Sequence, residues 1–331
     1  MTVKVLHPGL LTTIQDLGRY GSQKFGIIVS GAMDSYSLRL ANLLVGNDQG
    51  EGALEITWFG TSLQFKQDQL IAITGGDLTA SLDGDKAPLW RPILARKGSI
   101  LTFKSGSKGA RAYIAFAGGI AVPERMGSKS TYLHAGIGGF RGRALQKEDA
   151  FECGKMNEIS QSLFFKLKNM PKHFNWSINY SKLIYLQQRQ TIRVLKGTEF
   201  ERFDAKSKQL FFKESYRLTT QSDRMGSQLE GATLSLAEDF ELLSEGVTYG
   251  TIQVPTNGQP TILMADRQTT GGYPKIGQVI SADLPSLAQL QPNAIIHFKE
   301  ASLDEAESEF LKNEQMINDI KMGIHFKLLS D

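Results

Sequence analysis

Residues 266–274, Asp-Arg-Gln-Thr-Thr-Gly-Gly-Tyr-Pro, hold the densest group of side chains suited to chemistry in this chain. Carboxylate, amide and hydroxyl groups follow one another directly, and the glycine pair lets a ligand approach the backbone closely. Such a run is typical of the rim of a pocket for a small polar molecule, although a tight β-turn with solvated hydroxyls has the same composition. The candidates here are Asp266 as a catalytic group and, as substrate-binding groups, Gln268, Thr269, Thr270, Gly271 and Tyr273.

A second polar run, residues 12–34, places Arg19 and Asp34 among several glycines. An arginine fork can hold a carboxylate or phosphate through two hydrogen bonds, so Arg19 and Arg224 are predicted to bind anionic groups. A carboxylate can serve as a general base, which makes Asp34 and Asp266 the catalytic candidates. Each of these residues, taken alone, is equally typical of a surface or a turn. Further ionic candidates are Asp16, Glu55, Asp77, Asp223, Asp283, Arg141 and Arg267.

The residues after this run predict a short helix over 35–45. Its start can be capped by Asp34 or Ser35, and Gly46 can end it. Asn42 interrupts the apolar residues of this helix. It either points at the glycine-rich loop or bonds to nearby backbone.

Elsewhere the pattern is mainly β: short runs of β-branched and aromatic residues are separated by turn signals, and 33 glycines fit many tight bends. Closely spaced strands without long crossover helices favour antiparallel barrels or sandwiches. The few helices expected are residues 35–45, a segment near 283–291, and a C-terminal helix opened by a capping box at Ser302–Glu305. The predicted division is a first β-domain over 1–155, a linker or surface excursion over 156–190, a second β-domain over 191–300, and a C-terminal helix and tail over 301–331.

Composition narrows the class of protein. The chain has 331 residues, enough for two domains, and 37 basic against 34 acidic residues give a net charge of +3. This balance offers no case for nucleic-acid or membrane binding. Cys153 is the only cysteine, which fits a reducing cytoplasm, and its acidic neighbours oppose a thiolate, so we expect a packed, inert thiol.

The standard catalytic motifs are missing from the sequence. Gly127–Ser130 approaches a phosphate-binding loop, but Val122 stands where its first glycine is required. No dinucleotide fingerprint, nucleophile elbow or histidine pair with metal-ligand spacing is present. There is no lysine in a Met-Lys-Met setting, so we expect no covalent biotin on this chain.

Several separate runs give the chain a family resemblance, in order along residues 3–300. They include Gly75-Gly-Asp77, Tyr113–Ile120, Gly127–Thr131, Gly136–Arg143, Asp223–Gly226 and Gly250–Pro255, besides the two polar runs. Together they resemble the allophanate-hydrolase-subunit-2 family, which contains the C component of the prokaryotic 5-oxoprolinase, the antagonist KipA and half of the carboxyltransferase domain of urea carboxylase. The runs and the helix after residue 34 supply the remaining substrate-binding candidates: Asn42, Glu55, Asp77, Tyr113 and Ser128.

The resemblance implies two cyclophilin-like β-barrel domains and one component of an ATP-dependent 5-oxoprolinase, working with A-type and B-type partner proteins of the same complex. The complex would use ATP, with much of the ATP chemistry on a partner. The substrate would be a small molecule with an amide and a carboxylate, bound in one pocket where the two β-domains meet. Two alternatives stay open: the carboxyltransferase component of a biotin-dependent, urea-type carboxylase, and a KipA-like regulatory protein that counters a kinase inhibitor.

Overall fold

The computed structural model describes residues 1–106, 108–170, 174–180, 190–238, 240 and 242–330, with backbone alone at 328–330. The chain divides into two compact units. The first comprises Met1–Arg19, Ser30–Leu186 and Gln315–Asp331, and the second comprises Tyr20–Val29 and Gln187–Glu314. Neither unit is a continuous stretch, and the first extends through most of the segment predicted as a linker.

Two antiparallel sheets form the first unit. Its strands are β1 Thr2–Pro8, β2 Leu11–Gln15, β3 Ala53–Thr57, β4 Thr61–Phe65, β5 Gln69–Asp77, β6 Ala80–Leu82, β7 Asp85–Lys86, β8 Pro92–Ala95, β9 Ile100–Phe103, β10 Lys108–Phe116 and β11 Ala150–Glu152. One sheet has the order β11-β1-β4-β9-β6-β7, and the other has the order β2-β3-β10-β5-β8. The predicted β class is confirmed, with two sheets in this unit rather than one closed barrel.

Strand β10 shows how the five-stranded sheet is buried on both faces. Ile114 and Phe116 pack in an apolar cluster with Val5 of the six-stranded sheet. Tyr113 and Ala115 point to the opposite face, where a second cluster includes residues of the first helix. Because successive side chains of a strand point to opposite faces, a strand covered on both sides needs an almost continuous apolar sequence.

The first helix, α1 Ser35–Leu44, confirms the prediction for residues 35–45. The Asp34 side chain accepts the Ser37 backbone N–H, as an N-cap residue does. Gly46 follows the helix with a φ of 78°, a left-handed conformation that glycine adopts without strain.

The sequence predicts a linker or surface excursion over 156–190, and the first third of this segment contains a helix. Residues Glu158–Lys168 form helix α2, capped by Asn157, and Leu163 and Leu167 are buried in the apolar cluster against α1. These leucines are four residues apart on one helical face, a weak signal among many lysines and polar residues. Residues 171–173 and 181–189 of the segment lie outside the described residues.

The second unit contains a closed barrel. Its strands are β12 Thr191–Lys196, β13 Ser215–Leu218, β14 Gly226–Glu230, β15 Glu245–Gly246, β16 Thr251–Gln253, β17 Thr261–Leu263, β18 Thr270–Gly271, β19 Lys275–Val279 and β20 Ile295–Glu300. The barrel order is β12-β19-β16-β17-β14-β13-β20, closed by the parallel pair of β20 and β12. Strands β15 and β18 form a separate two-stranded ribbon. Phe211 stacks on Phe298 with ring centroids 4.6 Å apart, and both rings are buried.

The described residues also form three more α-helices, α3 Ala205–Lys213, α4 Leu284–Ala288 and α5 Leu303–Ser330, and short 3-10 helices at Gln23–Phe25, Phe200–Arg202 and Ser281–Asp283. The predicted helix near 283–291 and the C-terminal helix are both present. Ser302 Oγ accepts the Glu305 N–H at 3.1 Å, which is the N-cap bond of the predicted capping box. Within the described residues, no helix is both long enough and apolar enough to cross a bilayer.

Candidate functional site

Arg224 and Asp266 form a buried ion pair in the second unit. Arg224 precedes β14 and Asp266 follows β17, and these strands are hydrogen-bonded neighbours. Arg224 Nε donates to Asp266 Oδ2 at 2.8 Å, and Nη2 donates to Oδ1 at 3.0 Å. The side chains are only 6% and 3% exposed. The sequence singled out both residues, but as separate groups for an anion and for base catalysis, whereas the structure joins the fork of one to the carboxylate of the other.

The rest of the 266–274 run is open to solvent. Gln268 and Thr270 are exposed, and the Tyr273 ring keeps 49% of its surface accessible. The backbone beneath them is fixed, because β18 pairs with β15 and Val247 N donates to Thr269 O at 3.1 Å. These side chains therefore stand on an ordered ribbon where a small molecule can reach them.

Gly271 leaves room for a buried amide under this rim. A Cβ at Gly271 would collide with Gln253 Nε2, so a larger residue here would require the flexible Gln253 side chain to move. Gln253 is buried and its amide donates to Tyr273 O at 3.4 Å. Gly271 thus packs closely over Gln253, and its predicted contact with substrate remains a prediction.

Lys275 supplies a buried cation beside the rim, which the sequence analysis missed. Its Nζ lies 3.1 Å from both Glu199 Oε2 and Glu245 Oε2, and its backbone N–H donates to Glu199. Burial acts to lower the pKa of Lys275, but the hydrogen bonds to Glu245 and Glu199 outweigh it and raise the pKa overall. Nothing local marks this lysine, because its partners lie 76 and 30 residues away in sequence.

Three predicted residues of the first unit form one buried network: Asp34, Glu55 and Tyr113. The Tyr113 hydroxyl donates to Glu55 Oε2 at 2.7 Å and accepts the Asp34 N–H at 2.8 Å. Burial, reinforced by the charges of Glu55 and Asp34, raises the pKa of Tyr113 well above its usual value, so the phenol stays a donor. Asp34 Oδ2 also accepts the Ser37 hydroxyl at 2.6 Å. The geometry thus explains Asp34 as a helix cap, and its catalytic role remains a prediction.

Ser128 and Arg19 lie in a second network of the first unit, centred on Asp16. Asp16 accepts the Ser128 hydroxyl at 2.8 Å and the Lys129 N–H at 2.6 Å. Arg19 is fully buried and its Nη2 donates to the Ser130 carbonyl. Gly138 has a left-handed φ of 70°, and a Cβ there would collide with the Ser130 backbone carbonyl oxygen, which explains a glycine at this position. Arg19 therefore holds two polar loops together, and its predicted binding of an external anion is untested.

Asn42 and Asp77 have local structural partners. Asn42 Nδ2 donates to the Glu51 carbonyl at 2.7 Å, and Oδ1 accepts from Asn47 at 3.0 Å. Of the two interpretations of Asn42, bonding to nearby backbone is the one present. Asp77 Oδ1 accepts the Thr79 N–H at 3.0 Å, a turn-stabilising bond. The structure brings neither side chain into the two networks described above.

The predictions about the cysteine and about metal binding concern residues outside these two networks. Cys153 is buried, and burial, with a smaller contribution from Glu152, raises its pKa to about 12. Burial is thus a larger cause than the acidic neighbours that the sequence suggested. Among the described residues, no group of three or more His, Cys, Asp or Glu side chains is arranged to hold a metal ion.

Comparison with known proteins defines the class. Residues 25–300 match the carboxyltransferase domain family, subdomains A and B, and the chain therefore belongs to this family. It is 41% identical over 304 residues to the C component of 5-oxoprolinase from Escherichia coli strain K12, an alignment that covers 92% of this chain and 93% of the relative. It is 37% identical over 309 residues to the C component of 5-oxoprolinase from Haemophilus influenzae, covering 93% and 94%. The resemblance seen in the sequence is confirmed.

A solved structure extends this likeness to the fold. The crystal structure of Kluyveromyces lactis urea carboxylase superposes with a TM-score of 0.84 at 28% identity. The match covers 96% of this chain but 29% of that longer chain, so only part of the larger enzyme is shared. The common architecture is therefore that of one region of a multidomain protein.

Proposed function

We propose that this chain is the C component of an ATP-dependent 5-oxoprolinase, which opens 5-oxo-L-proline to L-glutamate together with A-type and B-type partner proteins. The observation that carries the proposal is the near-complete alignment with two bacterial proteins that bear the name of this 5-oxoprolinase component. A relative matched over more than nine-tenths of both chains supports the same role better than a match to one domain of a larger enzyme. A cytoplasmic location is part of the proposal, since the lone cysteine fits a reducing compartment.

The reaction explains why several chains are needed. A lactam is stabilised by amide resonance, and phosphorylating its oxygen with ATP removes that resonance and prepares the carbonyl carbon for water. The sequence lacks a phosphate-binding loop, so we assign ATP binding to a partner protein. This chain would supply groups that hold and orient the substrate.

The exposed rim is the part of the predicted site best placed for that task. Gln268, Thr269 and Thr270 offer donors and acceptors for the lactam amide, and Tyr273 offers a ring face. Asp266 lies two residues before Gln268 and is paired with Arg224. The predicted catalytic role of Asp34 and the predicted substrate-binding roles of Arg19, Asn42, Glu55, Asp77, Tyr113 and Ser128 remain predictions.

A carboxyltransferase role in a biotin-dependent, urea-type carboxylase is the second candidate. The family name and the fold shared with urea carboxylase favour it. In that role the carboxylated biotin would arrive on another chain, because no carrier lysine motif occurs here.

One reconstitution distinguishes these candidates. The chain is co-purified with its A-type and B-type partners, and glutamate and ADP formed from 5-oxoproline and ATP are measured. Our proposal expects both products in equal amounts, and neither when this chain is left out. Biotin-dependent carboxylation of urea with no glutamate release would replace our proposal with the second candidate. Binding of partners without either activity would favour a regulatory role.

A further inference from the structure

Arg267 differs from the other cations of the rim in forming no salt bridge with any described residue. Arg224 is paired with Asp266, and Lys275 is held between Glu199 and Glu245. Within the described residues, no carboxylate oxygen lies within 4.0 Å of the Arg267 guanidinium. Among the described residues, Arg267 is thus the one of these three cations without a carboxylate in salt-bridge contact.

The contacts of Arg267 leave donors unused. Nη1 donates to the Met264 carbonyl at 3.4 Å, beyond the usual range for such a bond. Its central carbon lies 5.9 Å from the centroid of the Tyr249 ring. Nε is buried and has no hydrogen-bond partner among the described residues. Burial lowers the pKa of Arg267, although an arginine remains charged at neutral pH.

A buried guanidinium donor without an acceptor is costly, because it has lost water without gaining a partner. An anionic ligand would remove that cost. Arg267 is partly exposed, and it stands one residue before the solvent-exposed Gln268. Its planar fork suits a carboxylate, which it can bind through two parallel hydrogen bonds.

We propose that Arg267, rather than Arg224, binds the carboxylate of the cyclic amide substrate. The inference rests on the proposed function, since 5-oxoproline carries a carboxylate beside its lactam. With the carboxylate on Arg267, the lactam lies toward Gln268, Thr269 and Thr270. Urea has no carboxylate, so a carboxylate contact with Arg267 would also make the site favour 5-oxoproline over urea.

The test compares Arg267→Gln with wild type in the reconstituted complex. We expect KM for 5-oxoproline to rise about ten- to a hundredfold, because a hydrogen-bonded charge is lost, with a smaller change in kcat. Inhibition by 2-pyrrolidinone, the same lactam without a carboxylate, should stay as in wild type. Arg217→Gln is the matched control: Arg217 is an exposed arginine of the same barrel, bonded to Glu230, and its loss should leave KM unchanged.

The outcomes separate the two proposals. A wild-type complex that releases no glutamate refutes the function, and the inference with it. An active wild type whose KM is unchanged in Arg267→Gln overturns the inference alone. If the Arg267→Gln variant does not fold, the Arg267→Lys variant is measured instead. Lysine keeps the positive charge but lacks the planar guanidinium, so KM for 5-oxoproline should still rise several-fold. An unchanged KM overturns the inference.

Discussion

The buried pair of Arg224 and Asp266 offers a measurable test of what holds the barrel together. Both side chains are almost wholly buried, so water and salt screen their attraction little. Removing one partner leaves an uncompensated buried charge, which typically costs about 3–5 kcal/mol. We therefore expect Arg224→Met or Asp266→Leu alone to lower the free energy of unfolding by about that amount. Replacing both with apolar groups should recover most of the loss, since such replacements are often neutral.

The assay is urea unfolding of the isolated chain, followed by far-ultraviolet circular dichroism. Tryptophan fluorescence is a poor choice for the barrel, because Trp58, Trp90 and Trp176 all belong to the first unit. The exposed pair of Arg217 and Glu230, on neighbouring strands of the same barrel, is the matched control, with side chains 51% and 60% exposed. Breaking that pair should cost less than about 1 kcal/mol.

Two results would refute this reasoning. A single variant that loses no more than the control would mean that the buried pair contributes little. Strictly additive losses in the double variant would mean that the two residues act independently. The double variant also separates structure from chemistry in the reconstituted complex: stable but inactive protein implicates the pair in the reaction, whereas full activity makes the pair structural.

The remaining predictions concern activity, the thiol, the rim and the helix cap. The isolated chain should form neither glutamate nor ADP from 5-oxoproline and ATP, and robust turnover by the pure chain would falsify this. Cys153→Ser should keep the activity of the complex, and the native thiol should resist alkylation at pH 8, because burial raises its pKa to about 12; a hundredfold loss of activity in folded protein would implicate the thiol. Thr270→Ala and Tyr273→Ala should lower turnover about ten- to a hundredfold with little change in melting temperature, since both side chains are exposed; the reverse order would make the rim structural. Asp34→Ala should lower stability by about 0.5–2 kcal/mol through loss of the α1 cap, and an unchanged unfolding midpoint would contradict that role.

Local signals in the sequence were reliable where the interaction itself is local. The cap at Asp34 and the box at Ser302 each join residues three apart, so the sequence pattern contains both partners. Helix α2 was missed because its two buried leucines are outnumbered by polar residues. Its stability depends on the apolar cluster that those leucines enter.

The candidate site shows more clearly what could not be predicted from the sequence. Asp16 and Ser128 are 112 residues apart, and Arg224 and Asp266 are 42 apart, yet each pair is in hydrogen-bonding contact. The residue types indicated polar groups that could take part in binding or catalysis. It could not indicate that one candidate was the partner of another, because strand pairing decides which loops meet.

The sequence by itself determined the β class, the family, the helices with strong end signals and the two polar runs, since these depend on periodicity, capping and residue type. Tertiary structure alone decided that the first unit forms two sheets while the second closes into a barrel. It also decided which charges are neutralised: Arg224 by Asp266, and Lys275 by two glutamates, leaving Arg267 without a salt bridge among the described residues. The physical reason is that burial and partner distance set the state of a charge, and both depend on contacts between residues far apart in the chain.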